Sequence, residues 1–190
     1  CGEGMRSLLL AGGRSSRMGK DKALIEVGGV ACIARVASAL SAAGCEPIRI
    51  AVAQPEDVER YGAVMPDGLD VEWVLDAVTH AGPIEAVVEA LSDPLIADAD
   101  SIQLCPVDVP WVTADLFFEL EKTLGSGDLL AIPADPQRSH PLLARVRPSI
   151  ASKIGEDRRP LHVQFTEMEH STLLTDSTIL RNVNTPDDLN

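Results

Sequence analysis

One stretch near the start of the chain, residues 8–22, constrains the fold more than any other part of the sequence. It reads LLLAGGRSSRMGKDK, so an apolar run ends abruptly in Gly12-Gly13, and the residues that follow include Arg14, Arg17, Lys20 and Lys22. Glycines let a backbone approach a ligand closely with its N–H groups pointing at oxygens, and cations neutralise an anion. The stretch predicts an α/β domain that binds a phosphate where its first strand ends.

Two common phosphate-binding loops are excluded. A Walker A loop requires Ser or Thr after its Gly-Lys pair, but Asp21 follows Gly19-Lys20, and Arg14 occupies the position of the first glycine. The dinucleotide fingerprint requires separated glycines, whereas Gly12 and Gly13 are adjacent. If the stretch binds no ligand, the alternative is that it forms a solvated basic turn after a core strand.

The overall charge limits the ligands that this chain can bind. The formal net charge is -13, which argues against binding nucleic acid or an anionic membrane through a general basic surface. An anionic ligand therefore has to enter a local cationic pocket. The length of 190 residues predicts a single domain over residues 5–190, with Met5 as a natural start and residues 1–4 as a remnant of expression.

The chain is expected to be cytoplasmic. It contains no apolar run long enough to span a membrane and no signal-peptide pattern. Its cysteines have no metal-binding spacing, which favours reduced, mostly buried thiols; they are Cys1, Cys32, Cys45 and Cys105. The histidines are dispersed, and each is expected to be structural; they are His80, His140, His162 and His170.

Apolar runs alternate with helical patterns along the chain. This alternation predicts a three-layer αβα sandwich, an α/β fold with a mostly parallel, Rossmann-like sheet. Strands are predicted at 8–11, 48–53, 71–75, 102–105, 129–133 and 141–146, with 162–165 also strand-like. Helices are predicted near 33–40, from Pro55, from Pro83, after Thr113, over 148–154 and at the end of the chain.

Polar residues follow several of these strands. In open α/β sheets, ligands bind beyond the carboxyl ends of the strands. The glycine turn follows the first strand, Gln54 the second, Asp76 the third and Asp108 the fourth, so we expect them to meet at one edge. Gln54 is a candidate for contact with a base or ribose. Asp76 is a candidate nucleotide ligand or a loop acid without a ligand.

Asp108 is the strongest candidate for a metal ligand. Mg²⁺ prefers hard oxygen ligands, commonly one or two carboxylates together with phosphate oxygens. Pro106 and Pro110 flank the segment and would stiffen it. The alternative is an aspartate that caps a helix in a turn.

The spacing L-A-G-G-x-S-x-R-M-G-x-D-K resembles the signature of nucleotidyltransferases that activate small phosphorylated substrates, and in detail that of the molybdenum cofactor guanylyltransferase family. Residues 105–110 match the family segment C-x-x-D-x-P, and residues 182–186 match its closing N-x-N-T-P motif. The resemblance runs from Leu8 to Leu189. It implies the fold of the nucleotide-diphospho-sugar transferases.

The resemblance also implies a reaction: GMP is transferred from GTP to the terminal phosphate of molybdopterin, giving molybdopterin guanine dinucleotide and pyrophosphate with Mg²⁺. The catalytic residues would be Arg17, Lys22 and Asp108, with Asp108 as the metal ligand. The nucleotide would be bound by Leu10, Ala11, Gly12, Gly13, Lys22, Asp76, Gly82 and Asp108.

A second set of residues is predicted to face the acceptor substrate. The set consists of Arg158, Arg159, Asn182 and Asn184. The two asparagines are equally consistent with ordinary turn and helix-start chemistry. From the family alone, we expect partner proteins that handle molybdopterin or mature molybdoenzymes.

Three alternatives remain open at this point. The doubled glycine is typical of guanine-using members, whereas cytosine-using relatives tend to have Ala-Gly, so a CTP-using transferase is the first alternative. A transferase acting on another phosphorylated substrate is the second. A regulatory nucleotide-binding protein without turnover is the third, because Ile84-Glu85-Ala86 departs from the family's G-P-L and small residues.

Overall fold

The computed structural model describes residues 6–12, 21–76, 82–96, 98–157, 159–184 and 186–189. Its strands are β1 Ser7–Leu10, β2 Glu26–Val27, β3 Val30–Ala31, β4 Ile48–Val52, β5 Val71–Leu75, β6 Ile102–Pro106, β7 Leu130–Ala134, β8 Arg145–Val146 and β9 His170–Leu174. Its α-helices are α1 Cys32–Ala42, α2 Pro55–Gly62, α3 Pro83–Leu91, α4 Ala114–Thr123, α5 Ala151–Ile154 and α6 Leu161–Glu167. Short 3₁₀ helices form at Lys22–Leu24, Pro141–Leu143, Pro148–Ile150 and Pro186–Leu189.

Seven strands form one sheet in the order β5-β4-β1-β6-β8-β7-β9. β8 is antiparallel to both of its neighbours, and the other pairings are parallel. Consequently six of the seven strands end at the same edge of the sheet. β2 and β3 form a separate hairpin whose turn uses left-handed backbone at Gly28 and Gly29, with φ of 60° and 79°.

The sheet is covered on both faces, as predicted. Successive residues of a strand point to opposite faces, so Leu9 packs in a core with residues of α1 and α4, whereas Leu8 packs in a second core with residues of α3, α5 and α6. The two cores on either side of a mostly parallel sheet confirm the three-layer αβα sandwich.

Most predicted helix boundaries are confirmed. α2 and α3 begin at Pro55 and Pro83. α4 is capped by Thr113, whose Oγ1 accepts a hydrogen bond from the N–H of Leu116 at 3.2 Å. Gly44 follows α1 with φ of 73°, the left-handed conformation typical of a helix C-terminus.

Two strand predictions were wrong. Residues 162–165 lie inside α6, where Leu161, Gln164 and Phe165 are buried at helical spacing. Of residues 141–146, only Arg145 and Val146 form a strand, since Pro141–Leu143 is a 3₁₀ helix. Strand β9 escaped prediction because it is an edge strand, largely polar and without a fully buried residue.

The buried thiols agree with the sequence prediction. Cys32, Cys45 and Cys105 are free and buried. Burial raises the pKa of Cys32 to about 11, with Asp108 adding to the shift, and burial also raises the pKa of Cys105 well above its ordinary value. These thiols therefore stay protonated near neutral pH. No helix in the described part of the chain is long and apolar enough to cross a membrane.

Candidate functional site

The carboxyl-end edge of the sheet brings the predicted site residues together. Leu10 at the end of β1 pairs with Pro106 at the end of β6, so Gly12 and Asp108 each lie two positions beyond the same rung. Asp76 directly follows β5 on the other side of β4. The topology thus explains why residues nearly a hundred positions apart face one region.

The centre of this edge is formed by Lys22, Asp108 and Asn184. Lys22 Nζ lies 3.8 Å from Asp108 Oδ2 and donates a hydrogen bond of 3.1 Å to Asn184 Oδ1. The Lys22 and Asp108 side chains are 30% and 20% exposed, so both remain accessible to a ligand. A cation, a carboxylate and an amide therefore meet at one place, and we call these three residues the transfer centre.

Lys22 is positioned by the residue before it. Asp21 caps the 3₁₀ helix that begins at Lys22, since its Oδ1 accepts a hydrogen bond from the N–H of Ala23 at 3.1 Å. Its Oδ2 accepts from Tyr61 Oη at 2.5 Å and from Arg60 Nη2 at 3.1 Å, both on α2. This anchoring role was not predicted, although Asp21 is a fixed position of the signature, directly before Lys22.

The Asp108 segment is held at two points. The N–H of Val183 donates to the Asp108 carbonyl at 2.8 Å, and Arg35 Nε donates to the Pro110 carbonyl at 3.0 Å. The alternative role for Asp108, as a helix cap, is wrong because Thr113 caps α4. Its side chain is therefore available to the site.

Asp76 lies against Gly12. A Cβ atom added to Gly12 would come within 2.0 Å of Asp76 Oδ2, so a side chain at this position is excluded unless the carboxylate moves. Asp76 Oδ1 is buried and accepts no hydrogen bond from the described residues. Burial, and secondarily Glu89, raises the pKa of Asp76. A buried acceptor without a donor is what a nucleotide N–H or O–H would satisfy.

Two further nucleotide candidates differ in their surroundings. Gly82, with φ of 91°, directly precedes α3, whose first residue is Pro83, as predicted for a helix start. Gln54 caps α2: its N–H donates to Asp57 Oδ2 at 3.2 Å, and its own side chain is exposed. Gln54 thus has a structural role at the helix start that accounts for its position. Glu85 is half-buried in the first turn of α3.

The acceptor candidates are not all brought together. Asn184 belongs to the transfer centre, and Asn182 Oδ1 accepts a hydrogen bond from Arg138 Nη2 at 2.9 Å. Arg159 instead pairs with Asp157 at 2.7 Å and Glu167 at 2.8 Å. Within the described residues, its guanidinium is shared between two carboxylates and makes no contact with either asparagine.

A cleft adjoins the transfer centre, with a volume of about 370 Å³. It is lined by residues of the turn 135–138, which follows β7, and of the segment 177–184, which follows β9. Asp135 Oδ2 accepts a hydrogen bond from His140 Nε2 at 2.9 Å, which helps to hold this turn in place. This bond, together with those from the backbone N–H groups of Gln137 and Arg138, lowers the pKa of Asp135 to about 2. The sequence analysis missed Asp135 and Arg138, whose signal is the Asp-Pro turn before Ser139-His140-Pro141.

Three predicted site residues, Gly13, Arg17 and Arg158, lie outside the described residues. Leu10 and Ala11 end the first strand at the edge, where the Ala11 N–H donates to the Ala51 carbonyl at 2.9 Å. In the parts of the chain that the structure describes, no group of three or more His, Cys, Asp or Glu residues could hold a metal ion.

Comparison with known proteins agrees with this geometry. A family model described as the MobA-like NTP transferase domain matches residues 7–161. The chain is 30% identical to a probable molybdenum cofactor guanylyltransferase of Mycobacterium marinum over 97% of this chain and 91% of the relative. A second such relative, from Synechococcus elongatus, is 32% identical over 96% of this chain and 94% of its own length.

Solved structures share the fold. The molybdopterin-guanine dinucleotide biosynthesis protein A of Archaeoglobus fulgidus superposes with a TM-score of 0.72 at 21% identity, covering 97% of this chain and 95% of that one. A Mycobacterium tuberculosis protein in complex with manganese superposes with a TM-score of 0.70 at 19% identity, covering 98% and 96%. With the family match over most of its length, the chain is a nucleotidyltransferase and belongs to the family of MobA-like NTP transferases.

Proposed function

We propose that this protein transfers GMP from GTP to the terminal phosphate of molybdopterin. An oxygen of that phosphate forms a bond to the α-phosphorus of GTP, and the bond from that phosphorus to the oxygen bridging the α- and β-phosphates breaks. The products are molybdopterin guanine dinucleotide and pyrophosphate. The attacking phosphate is already an anion, so the reaction requires no general base, and positioning with charge neutralisation supplies the catalysis.

The convergence of Lys22, Asp108 and Asn184 beside Gly12 carries the proposal. Lys22 would bind phosphate oxygens and stabilise the negative charge that develops on the pyrophosphate. The backbone at Gly12 would approach the nucleotide closely, because glycine carries no side chain of its own. Asn184 would keep the Lys22 ammonium in place while its remaining protons face the ligand. Arg17 and Gly13 would complete the phosphate-binding turn.

Asp108 is the residue that would hold a divalent cation. The residues fit Mg²⁺: an accessible carboxylate lies at the edge, and no full protein cage surrounds it among the described residues. Mg²⁺ is commonly bound by one or two carboxylates together with substrate phosphates. When bound, the ion would neutralise charge on the triphosphate. Manganese in a structural relative supports a hard divalent cation of this kind.

Asp76 and Gly82 would contact the nucleoside. The buried Asp76 Oδ1 has no donor among the described residues and would accept a hydrogen bond from the nucleotide. Gly82 directly precedes α3, and the free N–H groups in the first turn of that helix would face an anionic or carbonyl oxygen. These contacts would explain why both residues lie at the edge that also holds the transfer centre.

Thermal unfolding in the presence of nucleotide and Mg²⁺ tests which nucleotide base the protein prefers. The doubled glycine favours GTP over CTP, as does the naming of the relatives as guanylyltransferases. A ligand present at a hundred times its dissociation constant stabilises the folded state by ~2.7 kcal/mol. We expect this stabilisation with GTP and a much smaller one with CTP. The reverse order would assign a cytidylyltransferase.

Turnover is tested by pyrophosphate release with GTP, Mg²⁺ and molybdopterin. We expect pyrophosphate release only when all three are present. The amount of dinucleotide product should equal the amount of pyrophosphate released. Binding of GTP without release under these conditions would overturn the enzymatic assignment in favour of a regulatory protein. We further infer a cytoplasmic reaction, with molybdopterin delivered and the product removed by partner proteins.

A further inference from the structure

The cleft between the turn 135–138 and the segment 177–184 contains an arginine that the reaction scheme does not yet use. Arg138 is exposed on the turn, and one of its nitrogens donates to Asn182 Oδ1 at 2.9 Å. Among the described residues it forms no ion pair with a carboxylate. Five other arginines of the described residues each lie within 4.0 Å of an acid, namely Arg49, Arg60, Arg145, Arg147 and Arg159.

The nearest acid in the turn supports Arg138 without neutralising its guanidinium. Asp135 Oδ1 accepts hydrogen bonds from the backbone N–H groups of Gln137 and Arg138 at 2.8 and 3.0 Å, and Oδ2 contacts the His140 ring. Only 9% of the Asp135 side chain is exposed. Asp135 therefore holds the turn through hydrogen bonds at both of its carboxylate oxygens, and the turn presents the Arg138 guanidinium to the cleft.

The segment Asn182–Asn184 joins this guanidinium to the transfer centre. Asn182 accepts from Arg138, the N–H of Val183 donates to the Asp108 carbonyl, and Asn184 accepts from Lys22. Three consecutive residues thus connect two cations and the carboxylate segment. An anion that entered the cleft at Arg138 would lie beside the place where the α-phosphate is attacked.

We propose that Arg138 binds the phosphomonoester of the acceptor substrate and presents it to the transfer centre. A guanidinium matches a phosphate with two parallel N–H donors, and the cleft volume suits a ligand of small-molecule size. The identity of the acceptor rests on the proposed function, whereas the chemistry of the cleft rests on Arg138, Asn182 and their surroundings. Arg138 takes the part that the sequence pattern gave to Arg159, whose guanidinium is paired with Asp157 and Glu167.

Steady-state kinetics with GTP and molybdopterin test the proposal. We expect Arg138→Gln to raise KM for molybdopterin by about 10- to 100-fold, the usual worth of a hydrogen bond to a charged group, while KM for GTP stays within about twofold. Arg138→Lys should recover part of the lost affinity, because lysine keeps the positive charge but lacks the paired N–H donors of the guanidinium. The matched control is Arg6→Gln, since Arg6 is exposed and precedes β1 at the opposite end of the parallel strands.

A binding measurement tests the role of Arg138 independently of the transfer reaction. Phenyl phosphate, a plain phosphomonoester, is titrated into ¹⁵N-labelled protein without nucleotide. We expect shifts at the backbone amides of residues 177–184 and at Arg138 Nε, at least tenfold weaker binding in Arg138→Gln, and unchanged binding in Arg6→Gln. These results would support the cleft assignment even if molybdopterin and GTP gave no product.

Two outcomes would overturn it. The first is unchanged KM for molybdopterin and unchanged phenyl phosphate binding in folded Arg138→Gln. The second is an equal rise of both KM values together with a lower melting temperature, which would make Arg138 a structural residue. If Arg138→Gln does not fold, Arg138→Lys supplies the same comparison, and unchanged KM for molybdopterin together with unchanged phenyl phosphate binding in that variant would contradict the role of the guanidinium.

Discussion

Lys22 Nζ donates a hydrogen bond to Asn184 Oδ1 across 162 positions of the chain. Lys22 ends the glycine-rich stretch that follows β1, and Asn184 lies in the closing motif after β9. The strands that precede them occupy the third and seventh positions of the sheet. The transfer centre therefore forms only when the whole sheet is assembled, and truncation before Asn184 would remove one of its three members.

Removing either charged member of the transfer centre should slow transfer greatly. We expect Lys22→Ala and Asp108→Asn each to lower kcat/KM by about 100- to 1000-fold, or roughly 2.7–4 kcal/mol, the cost of losing one preorganised electrostatic group. Lys122→Ala is the control, because Lys122 is 72% exposed on α4. Initial rates of pyrophosphate release provide the measurement. Near-normal rates in folded variants would refute the assigned roles.

A methyl group at Gly12 should displace Asp76. We expect Gly12→Ala to lower the free energy of unfolding by about 1 kcal/mol, since its Cβ would overlap a carboxylate that can only partly rotate away. GTP affinity should fall about tenfold with it. In the Asp76→Ala background the stability cost should largely vanish, and this coupling is measured by urea denaturation.

Gly127→Ala is the control for that substitution, because nothing lies within 4 Å of a Cβ at Gly127. Its unfolding free energy should stay within ~0.5 kcal/mol of wild type. Equal costs of Gly12→Ala with and without Asp76 would show that the two residues do not compete for space.

The α2 anchor of Lys22 should matter to both stability and rate. Tyr61 is buried, and burial together with its bond to Asp21 raises its pKa, so it stays a donor at every working pH. Tyr61→Phe removes that donor at unchanged volume, and we expect it to cost about 1–2 kcal/mol of unfolding free energy and to lower kcat severalfold. Differential scanning calorimetry and turnover assays measure the two effects. An unchanged kcat would show that Lys22 does not need this anchor.

Acid should loosen the turn that holds Arg138. The pKa of Asp135 is lowered from 3.8 to about 2, first by the hydrogen bond from His140. A folded-state pKa below the unfolded value gives stability that is fully present above about pH 4 and is lost as the pH falls towards about 2. Urea denaturation across that range should show this loss in wild type and a smaller one in Asp135→Asn. The same slope in both proteins would assign the loss to other carboxylates.

The edge of the sheet that we propose binds the nucleotide could be predicted from sequence in detail. The apolar run before Gly12, the acids that follow β5 and β6, and the prolines at the starts of α2 and α3 are local signals with local causes. Because parallel strands end at one edge, knowing the strands was enough to place Gly12, Asp76 and Asp108 on the same side.

The cleft that we propose binds the acceptor resisted prediction for a physical reason. Arg138 and Asn182 meet through a pairing of β7 with β9, and β9 carries no buried apolar pattern that a periodicity argument could detect. The helix α6 was misassigned because four residues are too few to distinguish a period of 2.0 from one of 3.6. Long-range pairing, and not local propensity, decides where these side chains lie.

The antiparallel strand β8 divides the sheet into two parallel blocks, β5-β4-β1-β6 and β7-β9. The first block carries Gly12, Asp76 and Asp108, and the second carries the loops that present Arg138 and Asn182. Insertions or exchanges in the loop after β7, which presents Arg138, would leave both the hydrogen-bonded rungs of the first block and Asn184 of the transfer centre untouched. Such an arrangement would let an ancestral enzyme acquire a new acceptor while keeping its triphosphate donor.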